Sequence, residues 1–334
     1  MNDNTNHYLP ENRLDDNNPK QIHIENLFTT FVCLGPVART CLKAVSPYTD
    51  RQKYQTVFKA YLRKVDSNIR QVAGRYKFGS LSGAVECFDT HRIILMNPSE
   101  DNIGYEPEII TRWIACRVAK CAEIGAKEQG YNLFLSLSQQ SPLRTSAGWL
   151  FESYTHDWLR KGGPFEADRL PYQASDNPFL FNIKPGTEVR YYANLAHLAE
   201  QLKNRRGGKG VEPGMRGTYF QPWCRTQESF DSVMVTTVQR KETLVLFQIT
   251  MAITHDIKVG GVREILQALP KTIKQVFIIF VIPADRVDNY KVPQKAPADC
   301  DLTNGQYKYT IRQHRVVFPD DALRSIAVPK PGGR

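Results

Sequence analysis

No stretch of this chain is both long and apolar enough to suggest a membrane span, which needs about 18 residues. The opening segment, MNDNTNHYLPENRLDDNNPK, has neither the basic start nor the apolar run of a secretory signal. Both absences predict a soluble chain with no membrane partner and no conventional export signal. C-x-x-C is absent too. The seven cysteines are scattered, and Cys33 and Cys41 stand well apart. Cys116 and Cys121 share one apparent helix with four residues between them. A structural zinc site needs tighter pairs with histidines nearby, so buried free thiols in a reducing compartment are expected instead. The loop Arg205-Arg206-Gly207-Gly208-Lys209-Gly210 lacks the G-x-x-x-x-G-K-[ST] spacing of a phosphate-binding loop. That argues against nucleotide hydrolysis by this chain alone.

What is present is a mixed composition with a cationic surplus. The 334 residues suffice for about two domains of roughly 150 residues each. With 41% hydrophobic residues, a packed core is expected rather than wholesale disorder. Lysine and arginine total 44 against 34 aspartates and glutamates, a formal net charge of +10. A surplus of that sign suits a polyanion, most simply nucleic acid, although it also serves merely to keep a protein dispersed.

Two textures follow one another along the chain. Residues 1–20 are rich in Asn and Asp and are expected to be disordered. Ile22 to Leu42 looks helical, broken at Gly35-Pro36. Asp50 to Arg70 predicts a longer helix, because Tyr54, Val57, Phe58, Tyr61, Leu62 and Val65 recur at three- and four-residue steps. His91 to Met96 predicts a short strand, with a turn at Asn97-Pro98-Ser99. Further helices are predicted over Pro107–Lys127, with Ile109, Ile110, Trp113, Ile114 and Val118 on one stripe, over Tyr131–Ser138, and over Leu143–Arg160, stopped by Gly162-Gly163. Beyond Gly163, strands are predicted at Val189–Tyr192, Gly217–Pro222, Ser232–Thr237, Thr243–Met251 and Gln275–Ile282, with helices at Leu195–Asn204 and Gly261–Leu269. LVLFQIT and QVFIIFVI are almost unbroken apolar runs. That is the texture of strands buried on both faces at the centre of an α/β sheet, and the helix between them supplies the crossover. A last strand candidate, Tyr307–Arg312, precedes a proline-rich, loop-like end.

A few polar residues stand out against that frame. Glu152 lies on the helix AGWLFESYTHDWL among apolar neighbours, and Asp231 heads the strand DSVMVTTV. Gln248 and Thr250 alternate with apolar residues in VLFQITMAI and therefore share a strand face. His255 and Lys258 follow in ITHDIK. A magnesium-dependent phosphodiesterase needs hard oxygen ligands, and a cation to stabilise developing negative charge and orient the attacking water. Glu152, Asp231 and the carbonyl oxygen of Gln248 supply the ligands, and Lys258 the cation. Plainer alternatives exist: Glu152 as the edge of an amphipathic helix, Asp231 as a strand start, His255 as a loop cap, Lys258 as a solvated lysine. Gln248 is harder to dismiss, because an amide buried in so apolar a strand needs a hydrogen-bond partner, structural or ligand. Gly260-Gly261 allows close backbone approach at a helix N-terminus, suited to a phosphate oxygen and equally to an ordinary helix start. The candidate nucleic-acid contacts are Arg205, Arg206, Lys209, His255, Gly260 and Gly261.

The runs AGWLFESYTHDWLRKGG, FDSVMV, LVLFQITMAITHDIKVGGVREILQALP and QVFIIFVIP, taken in order, resemble the C-terminal domain of Crinkler proteins of fungi and oomycetes, which are related to retrotransposon hot spot proteins. The resemblance spans about Ser146 to Pro283. It implies a restriction-endonuclease-like fold of the PD-(D/E)XK superfamily. It also implies that Glu152 is the helix acid, that Asp231 is the metal-binding aspartate, and that the (D/E)-x-K pair falls on Gln248 and Thr250. This last is a departure: glutamine replaces the second carboxylate and threonine the lysine, leaving Lys258 to supply the charge from a later position. FVCLGPVARTCL similarly resembles the end of the NTPase module that precedes this domain in many Crinklers, with Arg39 at its basic position, but no Walker-type portion comes before it.

The expected fold is therefore α/β: a mostly helical N-terminal region, then a restriction-endonuclease-like αβββαβ core with an insertion after the first helix. The expected divisions are a disordered 1–20, a helical 21–140 left from an NTPase lid or linker, a nuclease-like 141–290, and a strand with a proline-rich tail over 291–334. The resemblance implies a magnesium-dependent DNA endonuclease-like domain of an effector, acting in a nucleus, including a host nucleus reached by non-classical secretion. The alternative is a catalytically degenerate nuclease fold that binds DNA or a host nuclear protein. A third reading is a regulatory helical module from a broken NTPase.

Overall fold

The computed structural model describes residues 26–27, 30–31, 33–35, 51–75, 93–98, 105–111, 113–115, 117–118, 134, 138, 144–185, 190–192, 194–203, 211–222, 230–238, 240–270, 272–295, 302–304, 307–309 and 311–319. The chain divides into two units, Met1–Ser153 with Leu323–Arg334, and Tyr154–Ala322. The expectations for residues 1–20, Arg39, Cys41, Cys116, Cys121, Arg205, Arg206, Lys209 and the tail after Pro319 lie outside the described residues. Among the described residues, no helix is long and apolar enough to cross a membrane.

In the first unit, helix α1 (Arg51–Arg75) buries Tyr54, Leu62 and Val65 of its predicted stripe, and Ile69 beyond it. The Tyr54 hydroxyl meets Thr30 Oγ1 at 2.9 Å. The helical residues before Gly35 end there at a φ of +86°, and a Cβ at Gly35 would sit 2.0 Å from Cγ2 of Ile110. Both the turn and the close approach require glycine. Cys33 is buried and free, and burial pushes its pKa up to about 12, so it remains an unreactive thiol.

Two expectations fail in this unit. Asn97 and Pro98 do not form a turn: they end strand β1 (Ile94–Pro98), which pairs antiparallel with β2 (Tyr105–Ile109). Residues 107–109, predicted as a helix start, belong to β2 instead. Pro107 pairs with Met96 in this two-stranded ladder, where both strands are edges and a missing N–H is tolerated. Helical conformation resumes only after Thr111, whose Oγ1 accepts from Ile114 N at 3.1 Å as an N-cap and donates to Cys33 O at 2.8 Å. Trp113, Ile114 and Val118 of the predicted stripe are then buried.

Helix α2 (Arg144–Arg160) contributes residues to both units and stops as predicted. Gly162 takes a φ of +71°, and a Cβ there would lie 2.5 Å from Cα of Pro185. The second unit then builds strands β3 (Gly163–Arg169), β4 (Phe179–Ile183) and β5 (Arg190–Tyr192), helix α3 (Leu195–Leu202), and strands β6 (Tyr219–Pro222), β7 (Ser232–Val238) and β8 (Lys241–Ile249). Helix α4 (Val259–Ala268), strand β9 (Ile273–Pro283), a 3-10 helix (Ala284–Tyr290), and strands β10 (Leu302–Asn304), β11 (Tyr307–Tyr309) and β12 (Ile311–Phe318) complete it. One mixed sheet carries eight of these strands in the order β4-β3-β12-β9-β8-β7-β6-β5. The α/β class is as expected. The hairpin β3–β4 was not foreseen, and the predicted strand Tyr307–Arg312 is split between β11 and a longer β12 that runs on to Phe318 inside the sheet.

Strands β6, β7 and β8 form an antiparallel meander, and α4 carries the chain across to β9, parallel to β8. The faces of this sheet differ. One presents Val233, Val235, Leu244, Leu246, Ile278, Phe280 and Ile282 to Leu198 and Leu202 of α3 and to Val262, Ile265 and Leu266 of α4. At about 25 cal/mol per Å² of apolar surface removed from water, this cluster supplies the main stabilisation of the unit. The other face receives the second-unit part of α2. The Trp158 ring stands edge-on to Phe165 and Phe318, with centroids at 4.9 and 5.1 Å. His156 Nδ1 meets the Tyr219 hydroxyl at 2.8 Å, and Ser232 Oγ donates to that hydroxyl at 2.6 Å. His314 of β12 packs on this face against Phe179 and Phe277, at 5.3 and 4.8 Å.

Arg315, buried on the opposite face of β12, ties three segments together. Its Nε donates to Asp168 Oδ2 at 3.1 Å, and its Nη1 donates to the carbonyls of Val287 and Tyr290 at 2.8 and 3.1 Å. Its guanidinium also lies 4.1 Å from the centre of the Tyr172 ring.

Candidate functional site

Register places the central candidates side by side. Ser232 pairs with Phe247 in the β7–β8 ladder, so one step further Asp231 stands beside Gln248. The Asp231 backbone N–H donates to Phe247 O at 2.8 Å. Its carboxylate turns onto β8: Oδ2 accepts from Gln248 Nε2 at 2.9 Å and from Ile249 N at 2.7 Å. The sequence-based pairing of Asp231 with Gln248 is thus a direct contact.

Gln248 is 8% exposed, and its Oε1 is buried with no hydrogen-bond partner among the described residues. The orientation of the amide follows from its neighbour. Reversed, it would turn an oxygen toward the Asp231 carboxylate. An unpaired buried acceptor costs about 1–3 kcal/mol, so the strand carries an open acceptor at its most apolar stretch.

Thr250, two residues along on the same face, has a structural task. Its Oγ1 accepts from Ala252 N at 3.0 Å, and its backbone N–H donates to Val281 O at 3.0 Å. Tyr290 donates to Ala252 O at 3.2 Å. These bonds close the bend after β8. The Thr250 hydroxyl is thus engaged within the bend itself.

The remaining candidates stand on other segments. Lys258 is exposed and forms the N-cap position of α4, without a side-chain capping bond. Gly260 and Gly261 fall inside the first turn of that helix, and a Cβ at Gly260 would meet nothing within 4 Å. Among the described residues, no neighbouring atom requires glycine at that position. His255 is half-buried; its backbone N–H donates to Gln294 Oε1 at 2.8 Å, and its ring lies 6.5 Å from Phe280. Burial lowers its pKa, with Lys258 adding in the same direction against the pull of Asp256. Glu152 belongs to the first unit, is half-buried, and stands one turn before His156 on α2.

One residue of the site escaped sequence reasoning. Tyr192 pairs with Pro222 across β5 and β6, and the β6–β7 register carries Pro222 to the level of Asp231. Tyr192, Asp231 and Gln248 therefore lie in one row across the sheet, continued by Phe280 and Arg315. Tyr192 is 1% exposed, and its hydroxyl has no hydrogen-bond partner among the described residues. Burial, and then the negative charge of Asp231, push its pKa above the usual tyrosine value. In sequence, a tyrosine closing a short apolar strand is indistinguishable from core. Only the register brings it to the site.

No family model matches the chain, and no curated protein or solved structure matches it.

The donor set is rich in oxygen and poor in charge. Among the described residues, no group of three or more His, Cys, Asp or Glu could hold a metal ion. The row supplies one carboxylate, one amide oxygen and one hydroxyl, which is a hard-oxygen set of low charge.

Proposed function

We propose that the second unit is a restriction-endonuclease-like domain, of the kind found in Crinkler proteins, that binds DNA and does not cut it. The observation that carries this reading is the Asp231–Gln248 contact. The two positions that the superfamily pattern assigns to metal-binding acids meet in space, yet one is an amide that donates to the other. The amide satisfies the Asp231 carboxylate without a metal ion, and the lysine position holds the structurally engaged Thr250. The meander β6–β7–β8, the α4 crossover and the parallel β9 support the fold part of the reading. The net charge of +10 supports the nucleic-acid part.

A second reading, hydrolysis with magnesium, draws on the unpaired Oε1 of Gln248. Asp231 and the carbonyl of Gln248 are the groups that would hold the ion, after the amide gives up its hydrogen bond to the carboxylate and turns over. When bound, the ion would polarise the phosphodiester and generate the attacking hydroxide. The protein's part would be to position Asp231 through the Ile249 N–H and to hold Gln248 within the apolar row.

Plasmid DNA incubated with the protein and magnesium separates the two readings, with Asp231→Ala as control. Retarded but intact plasmid is expected. Nicking that disappears in Asp231→Ala would replace the first reading by the second. If the plasmid is neither bound nor nicked, the DNA reading fails and a host nuclear protein becomes the partner to seek.

A further inference from the structure

Helix α1 concentrates positive charge in a way that the second unit does not explain. Its 25 residues hold seven lysines and arginines and a single acid, Asp66. That is a surplus of six in a chain whose whole surplus is ten. Lys53, Lys59, Arg63, Lys64 and Arg70 are all exposed. Lys59, Arg63 and Arg70 stand at steps of four and seven residues, so they form one row along the helix. The row runs on the side opposite the buried Tyr54, Leu62, Val65 and Ile69. Like charges four residues apart, as Lys59 and Arg63 are, oppose helix formation. The acid placed to offset the row is Asp66, three residues after Arg63 and four before Arg70. Its carboxylate is instead taken by Arg117, which donates Nε to Oδ1 and Nη2 to Oδ2. The same guanidinium lies 4.6 Å from the centre of the Trp113 ring, which fixes it in place. The row is therefore left without a counter-charge from its own helix.

We propose that the row Lys59–Arg63–Arg70 of α1 binds the phosphate backbone of duplex DNA without reading its sequence. It lies wholly in the first unit and shares with the reading of the second unit only the partner. Nothing in it draws on Asp231 or Gln248. Charge complementarity selects a polyanion, and the rest of the exposed side selects which one. An anionic membrane surface is gripped by apolar side chains beside the cations. None of the large exposed hydrophobic residues among those described belongs to α1. Between and beside its cations the helix exposes Gln52, Thr56, Ala60 and Ser67 instead, small or hydrogen-bonding groups that suit phosphate oxygens in water. Length fits as well. At about 1.5 Å per residue, Lys59 and Arg70 stand about 16 Å apart along the axis. That is enough to span a major groove about 12 Å wide and meet phosphates on both of its edges.

The test is fluorescence anisotropy of the full chain on a labelled duplex, titrated with monovalent salt. Three phosphate contacts account for about 2.7 of the slope of log affinity against log salt. Lys59→Gln/Arg63→Gln/Arg70→Gln keeps good helix formers in α1. It should lose about 2.7 of the slope, and on the order of 100-fold in affinity at about 100 mM salt, equally on duplexes of unrelated sequence. Arg63→Gln alone should cost about 0.9 of the slope, so the row is tested even if circular dichroism shows that the triple variant loses helix. Lys161→Gln/Lys203→Gln/Lys241→Gln removes the same charge from exposed positions of the second unit and should keep the slope. An unchanged slope in the α1 variants, or an equal drop in the second-unit control, overturns the proposal and leaves DNA binding by the second unit standing. Tighter binding to phosphatidylserine vesicles than to the duplex, lost in the same α1 variants, overturns it in favour of a membrane surface. No duplex binding by the unmodified protein removes both DNA readings together.

Discussion

At the scale of single residues, the chain places uncharged polar groups where charge would be costly. Gln248 does this beside Asp231. A second carboxylate there would lose the 2.9 Å hydrogen bond and face a like charge, which drives one of the two acids to hold its proton. Gln248→Glu is therefore expected to lower stability by about 1–3 kcal/mol. Urea midpoints of the two proteins measure the loss, and an unchanged stability would show that the amide-to-carboxylate bond contributes nothing to the strand pair. His314 illustrates the same economy. Burial first, and then the charges of Arg169 and Arg312, lower its pKa from 6.5 to about 4, so it is neutral in the fold. Above pH 6.5 both folded and unfolded chains are neutral at this position and stability is complete. Below it the unfolded chain takes a proton that the folded chain refuses until about pH 4. Stability should fall across that window, by about 3 kcal/mol at its lower end. Urea midpoints of the unmodified protein and of His314→Phe, compared at neutral and mildly acid pH, isolate this contribution. An equal acid loss in both would remove His314 as its source.

At the scale of elements, one side chain of β12 ties the strand to Asp168 and to the 3-10 helix beyond its own ladder. Arg315→Met keeps much of the volume but deletes the donors to Val287 O, Tyr290 O and Asp168. Two carbonyls and a carboxylate lose their partner at once, and a loss of about 2–4 kcal/mol is expected from urea unfolding. A change below about 0.5 kcal/mol would show that the 3-10 helix is held by other contacts. Legibility in the sequence follows the same physics. Strands β7, β8 and β9 and helices α1, α2 and α4 were readable because each is selected by burial: both-sided for the central strands, one striped face for the helices. The hairpin β3–β4 was not, since GPFEADR mixes glycine, proline and charge along a strand only half covered. Strand β2 was mistaken for a helix start because Ile109 and Ile110 lie at plausible helical spacing to Trp113. The Thr111 cap that ends the strand state works through one hydroxyl, which periodicity does not register. Within the site, Gln248 was legible because its polarity contradicts its surroundings. Tyr192 does not contradict its surroundings in any such way, and its role depends on a register between strands far apart in the chain.

At the scale of the whole molecule, charge is the feature that separates the DNA reading from its rivals. Of the nominated basic contacts, Lys258 and His255 follow β8 within a few residues of the Asp231–Gln248 row, and the chain as a whole carries ten more positive than negative charges. Binding driven by such charge releases counterions from DNA, so affinity must fall steeply with salt. For three neutralised phosphates the loss is on the order of 40-fold between about 50 and about 200 mM monovalent salt. Fluorescence anisotropy of a labelled duplex over that range measures the slope, and repeating it in EDTA separates direct phosphate contacts from those bridged by a cation at Asp231. A cation-bridged contact should add an EDTA-sensitive part that Asp231→Asn removes, while the salt slope from lysine and arginine persists. A flat salt response would mean that the surplus charge faces no nucleic acid. The Asp231 row would then have to be understood as the contact point of a protein partner, recognised by shape and hydrogen bonds rather than by phosphate.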